Sequence, residues 1–504
     1  MKQLNIILCI SFLLSNYHEN DSWCGTINQQ HRDFERMEYA YPEYIDSEHF
    51  RVHFTSEAAD SFYWNDSWMT HQSNIVYATT LLNQAEYAYL VYENDGWEMP
   101  PVDCDDSITD ILDSDHCNNY GGNSLYDIYI GLVQGPAAAV VPENPISTSP
   151  YIGGFSSFML FGSGLGLYGS NDDLASFNYY IVAHELHHSI QFSYGSYITG
   201  SPGNYVFHSW MLEQTATFME NVVYPNAMHL RLLLSNCNIE NPLTYPQAGI
   251  YQSYSGALWQ NFLVDYLDDE ILIRNVWESY GNRITNGDNP ITFFDIFNDE
   301  IISSSNNLYN LESMYREYAI WRYFTGDRAI PNQYFDQANL YCTSATLQFP
   351  INNTQLQTEL GGNRYIEVPN VNLLVNIQAD STIIIPSLLM GIENNGNVIF
   401  SDLELTQGAN FINIDNEFDG NHILILLSGY TGNELNFETL MISIDINTSS
   451  SLGDIDGNGI INIIDVIQLI NYILDNNYQL SADINNDGDI NVIDVVLLVD
   501  LILN

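Results

Sequence analysis

One twelve-residue acidic pattern occurs twice towards the end of the sequence, 29 residues apart. Asp454-x-Asp456-x-Asn458-Gly459-x-x-Asn462-x-x-Asp465 returns as Asp483-x-Asn485-x-Asp487-Gly488-x-x-Asn491-x-x-Asp494. Eleven of the 21 aligned positions from 454 onward are identical. Side-chain oxygens at loop positions 1, 3, 5 and 12, with glycine at position 6 for the sharp turn, wrap a calcium ion. The pattern therefore predicts two Ca2+ sites. Asp454, Asp456, Asn458, Asn462 and Asp465 serve the first, and Asp483, Asn485, Asp487, Asn491 and Asp494 the second. Ile460 and Asp489 lend backbone oxygens. Ile461 and Ile490, at the eighth loop positions, are placed to pair the loops. Residues 463–474 and 492–503 read as helices apolar enough to pack together and onto a partner.

Two traits separate this segment from calcium sensors with paired helices. Position 12 is Asp instead of Glu, and a single helix follows each loop. In both, residues 453–504 resemble the type I dockerin module. The resemblance implies docking to a cohesin domain on a scaffold protein. Ile463-Ile464 and Val492-Ile493 stand where many dockerins carry a Ser-Thr pair, so the partner's identity stays open. A calcium-stabilised cap without a partner is the alternative.

The strongest catalytic signal is His184-Glu185-Leu186-His187-His188. Imidazoles at i and i+4 share one helix face and can grip one zinc ion. Glu185, beside them, can accept a proton from water activated at the metal and pass it to a leaving amine. Large apolar residues precede the motif, Ile190 and Phe192 continue it, and Gly195 is a suitable stop. A catalytic zinc needs a third protein ligand. Gln191 and Tyr194 exclude the H-E-x-x-H-x-x-G-x-x-H solution. Glu213, 25 residues after His188 on a second predicted helix that Ser209 can cap, fits a downstream-Glu solution. Ala216 and Thr217 are small enough for close helix packing. Glu220, two turns on, is a backup ligand or the partner that holds a histidine. His187 and His208 read as surface or supporting residues.

These motifs resemble secreted bacterial zinc metalloproteases of the gluzincin type. The resemblance rests on Glu48-His49-Phe50-Arg51-Val52-His53-Phe54, Tyr126-Asp127-Ile128-Tyr129-Ile130-Gly131, His184 to Gln191, Trp210-Met211-Leu212-Glu213-Gln214-Thr215-Ala216 and Tyr254-Ser255-Gly256-Ala257-Leu258-Trp259. It covers residues 46–330 and implies zinc on His184, His188 and Glu213, with Glu185 as general base. The usual Gly after the third ligand is Gln214 here. In such enzymes an edge strand beside the zinc helix holds the peptide by strand addition, and residues 155–161 are the expected edge. Tyr251 and Tyr254 are candidates for stabilising the oxyanion.

Composition narrows the function further. Eleven Lys plus Arg stand against 63 Asp plus Glu, a formal charge of −52, and Lys2 is the only lysine. No basic patch can track phosphates, which excludes nucleic acid as a partner. An anionic membrane surface is disfavoured. Met1-Lys2 and the apolar run at 4–14 read as an export signal too short to span a bilayer. No later stretch is long enough for membrane insertion. Outside the signal the chain has five cysteines. Cys104 and Cys117 flank an acidic loop and are the candidate local disulfide, and the odd count leaves at least one thiol over.

Residues 48–55 and 126–132 alternate as strands. Ile75, Ala78, Leu81, Leu82, Ala85, Tyr89 and Val91 fall at helical spacing, and residues 172–324 are mainly helical. Short β runs at 372–378, 382–386, 397–400 and 422–427 between Asn, Gly and Asp turns predict a β-sandwich. The expected architecture is multidomain. It has a signal at 1–16, a strap or propeptide at 17–45, and an α+β zincin-like metallopeptidase at 46–335. A β-sandwich follows at 340–447, a linker at 448–452 and a small α calcium-loop dockerin at 453–504. The expected function is a secreted zinc-dependent endopeptidase acting on protein or peptide substrates, attached to a scaffold. A non-catalytic extracellular binding protein with a structural zinc site is the main alternative; a zinc peptidase of cell-wall peptides is another.

Overall fold

The computed structural model describes residues 36–64, 67–102, 121–131, 138–146, 150, 152–163, 179–196, 209–225, 229–235, 254–288, 291–379, 384–393, 397–412, 414, 420–429, 439–448, 453–456, 461–475, 477–485 and 487–503. The predicted signal, Cys104, Cys117, His208, Tyr251, Asn458 and Ile460 lie outside these residues. The chain divides into two compact units, with a boundary between Ser344 and Ala345.

The first unit begins with β1 (Glu43–Asp46), β2 (Phe50–Phe54), the hairpin β3 (Ser61–Trp64) and β4 (Ser67–Thr70), and helix α1 (Ile75–Asn94). Asn74 caps α1, its side chain accepting from the Tyr77 N–H at 2.9 Å, which satisfies one of the helix's open donors. Three strands follow: β5 (Tyr126–Gly131), β6 (Ala138–Pro145) and β7 (Phe155–Gly162). They form a five-stranded mixed sheet ordered β1-β2-β5-β7-β6. β2, β5 and β7 run parallel, so α1 is the crossover between β2 and β5. β5 and β7 are buried along their whole length, as strands covered on both faces are.

The expected edge, residues 155–161, is not an edge. As β7 it lies between β5 and β6, and the edge strand on that side is β6. The antiparallel β6–β7 register breaks between Pro142 and Pro145. Proline cannot donate to a ladder and is confined to strand edges and irregularities. Pro142 and Pro145 interrupt the alternation that marks a strand in a sequence.

One sheet face carries the cluster Tyr129, Val141, Phe158 and Leu160, with Met37 and Tyr39 packed on it. Arg36 fastens this strap. Its guanidinium donates two hydrogen bonds to Glu143 (2.8 and 2.6 Å), one to the fully buried Asp127 (2.6 Å) and one to the Tyr129 hydroxyl (2.9 Å).

Among the described residues seven helices follow: α2 (Tyr179–Ser193), α3 (Ser209–Val223), α4 (His229–Leu234), α5 (Ala257–Leu267), α6 (Leu272–Asn286), α7 (Phe293–Ser304) and α8 (Leu311–Tyr323). α2 packs against β6 and β7 on one side and α3 on the other. The Tyr126 hydroxyl on β5 bonds Ser157 on β7 at 2.8 Å and Ser189 on α2 at 2.6 Å, all buried. Trp210, Trp259, Trp277, Phe262 and Phe293 fill the helical core. Cys342 is disulfide-bonded, to a residue outside those described.

The second unit holds two sheets, β13-β12-β15-β10-β8 and β14-β11-β16-β9. The strands are β8 (Thr346–Gln348), β9 (Ile351–Glu359), β10 (Asn363–Val368), β11 (Leu373–Gln378), β12 (Ile384–Glu393), β13 (Val398–Thr406), β14 (Gly408–Ile412), β15 (Gly420–Leu427) and β16 (Thr439–Thr448). Ile366, Leu424 and Leu426 of the first sheet share one core with Val375, Ile377 and Ile444 of the second. Beyond them lie α9 (Ile463–Asp475) and α10 (Val492–Leu503). Their core repeats the sequence duplication. Ile455, Ile461, Val466, Leu469 and Ile473 meet their counterparts Ile484, Ile490, Val495, Leu498 and Ile502 in one cluster. Among the described residues no helix is long and apolar enough to cross a membrane.

Candidate metal centre

Helices α2 and α3 bring His184, His188 and Glu213 together, and one ligand atom from each lies within 4.8 Å of the others. All three side chains are buried. Burying a charged carboxylate and two imidazoles is costly unless each polar atom has a partner, so the partners fix what the site can do. His188 Nδ1 donates to the Gln191 Oε1 at 2.7 Å, and Gln191 Nε2 donates to the Leu212 carbonyl on α3 at 3.1 Å. An amide oxygen only accepts, so Nδ1 carries the proton and the Nε2 lone pair points inward. His184 Nδ1 donates to Glu220 Oε1 at 2.7 Å, and His184 Nε2 lies 3.1 Å from both Glu213 Oε2 and His188 Nε2.

Burial alone would lower the His184 pKa, but the carboxylates of Glu213 and Glu220 outweigh it and push it up to about 10. Burial alone would raise Glu213, but the adjacent His188 and His184 rings hold it down at about 2. Glu213 Oε1 is buried with no hydrogen-bond partner and lies 3.6 Å from His188 Nε2. A carboxylate with one orphaned oxygen, beside two Nε2 atoms 3.1 Å apart, is a donor set that fits zinc.

Glu185 is buried next to His184 on α2. The Tyr254 ring lies 5.7 Å from the His184 ring. Glu220 has the geometry of a partner that orients a histidine. His187 points elsewhere and is not at the surface. It is fully buried, edge-on to Trp97 at 4.8 Å and beside Tyr92 at 5.6 Å, and burial lowers its pKa well below the usual value. Gln214 fits because the facing residue is Gly256: a Cβ there would come within 2.1 Å of Gln214 Nε2.

Gln191 has a role that the motif spacing does not reveal: it joins His188 on α2 to the Leu212 carbonyl on α3. It stands at the glycine position of the H-E-x-x-H-x-x-G-x-x-H pattern, which says nothing of a hydrogen bond to His188. The available signal was its i+3 position after His188, which places an amide over the preceding turn.

In the first calcium loop Asp454, Asp456 and Asp465 converge within the same 4.8 Å limit. Asp465 accepts the backbone N–H groups of Ile455 (2.7 Å), Asp456 (3.0 Å) and Asn462 (2.8 Å). Asp494 repeats this on Ile484 (2.8 Å), Asn485 (3.3 Å) and Asn491 (2.8 Å). Burial opposes the Asp465 charge, but those backbone donors hold its pKa below the ordinary value. Residues 452–503 match the family model of the Dockerin type I domain. This segment is a type I dockerin. Such domains bind calcium and attach their chains to cohesins. The chain matches no curated protein.

Proposed function

We propose that the chain is a secreted zinc-dependent endopeptidase carried to a cohesin-bearing scaffold by its dockerin. The supporting observation is the convergence of His184 Nε2, His188 Nε2 and the orphaned Glu213 Oε1, with both Nδ1 atoms already committed. Zinc held there would lower the pKa of water and polarise a peptide carbonyl. Glu185, adjacent to His184, takes the proton from the attacking water and delivers it to the leaving amine. Glu220 and Gln191 fix the two imidazoles in the tautomer that presents Nε2. Tyr254, whose ring lies 5.7 Å from the His184 ring, is the donor assigned to the developing oxyanion. The edge strand β6 receives an extended peptide by strand addition.

The test is cleavage of unfolded casein by the full chain. Activity should vanish with a zinc chelator such as phenanthroline and return with one equivalent of zinc. A zinc-loaded chain that cleaves no unfolded protein would make the centre structural and the chain a binding protein.

A further inference from the structure

We propose that the dockerin docks through a duplicated aliphatic stripe, and so takes a cohesin whose contact face is apolar and free of carboxylates. The proposal rests on cohesin attachment and specifies its chemistry. Each helix divides its aliphatics between two faces. Val466, Leu469 and Ile473 of α9 and their counterparts on α10 pack inward. Outside that cluster lie four repeat-related pairs, Ile463/Val492, Ile464/Ile493, Ile467/Val496 and Leu474/Leu503, with Ile470, Leu497 and Leu501 exposed beside them. All eight are at least half exposed. Positions 463, 467 and 474 fall on one helix face, as do 492, 496 and 503. A helix that is apolar all round belongs inside a larger assembly, and an exposed aliphatic patch marks an interaction site.

The charges say which face fits it. Residues 453–504 contain no lysine and no arginine. Of their nine aspartates, seven belong to the calcium loops, leaving only Asp475 and Asp500. The module stays net negative with two Ca2+ bound. It offers no cation to a carboxylate-lined partner and repels one. What it offers is aliphatic area, twice over.

The experiment is calorimetric titration of the full chain, in calcium, with recombinant cohesins of two kinds. One kind carries aliphatic residues on its dockerin-facing surface, the other carboxylates. Only the aliphatic kind should bind, with a Kd at about 1 M NaCl equal to or tighter than at about 0.1 M. Because both helices present the stripe, Ile467→Asp and Val496→Asp are combined. The double variant should bind at least about 30-fold more weakly while its calcium-dependent circular dichroism is unchanged. Binding confined to the carboxylate kind, a Kd weakened about tenfold by salt, or unimpaired binding by the double variant overturns the proposal and leaves cohesin attachment standing. If neither kind binds, attachment itself fails. A calcium-dependent dimer seen by light scattering would then assign the stripe to a second copy of the chain.

Discussion

At the residue scale the centre is set up so that a metal must displace a proton. With Glu220 and Glu213 as acceptors, His184 keeps both ring protons up to about pH 10. A group whose pKa is raised holds its proton below that value, so zinc uptake at neutral pH releases one proton from His184. Apparent zinc affinity should rise about tenfold per pH unit below pH 10. Calorimetry of the metal-free chain in two buffers of different ionisation enthalpy measures this; a pH-independent affinity would contradict it. The ligands were legible because helical spacing ties residue number to face: His184 and His188 lie one turn apart, and Glu213 and Glu220 two turns apart. Gln191 was not legible, because its role depends on where the Leu212 carbonyl of a second helix falls.

At the element scale two features escaped the pattern reading for physical reasons. β6 was hidden by Pro142 and Pro145, which an edge position tolerates and an interior strand does not. The strap was hidden because residues 36–41 have no periodicity. They are held by one guanidinium and two side chains on the sheet. Arg36→Ala would leave the half-buried Glu143 and the fully buried Asp127 short of their cation. Removing one partner of such a network costs about 3 kcal/mol. Chemical denaturation of the first unit should register that loss, and a change within about 0.5 kcal/mol would mean the strap is ornamental to stability. The sequence delimits α1, β5, α9 and α10 nearly to their ends, because each has an unbroken period and α1 has the Asn74 cap.

At the scale of the whole molecule, −52 is a property of the entire surface. Arg36, Arg51, Arg274, Arg283 and Arg316 are all tied to carboxylates, and Lys2 is the only lysine. The calcium loops concentrate part of that charge where a divalent cation neutralises it. Chelating calcium should therefore unfold the dockerin in a separate, lower transition while the first unit keeps its own melting temperature. Scanning calorimetry with and without a calcium chelator reads this directly, and a single unchanged transition would contradict it. The most direct test of the central claim is Glu185→Gln in the full chain, with zinc content and casein cleavage measured on the same sample. Zinc should remain at one per chain and cleavage should fall by about 10²–10⁴. Undiminished cleavage with zinc in place would contradict the mechanism.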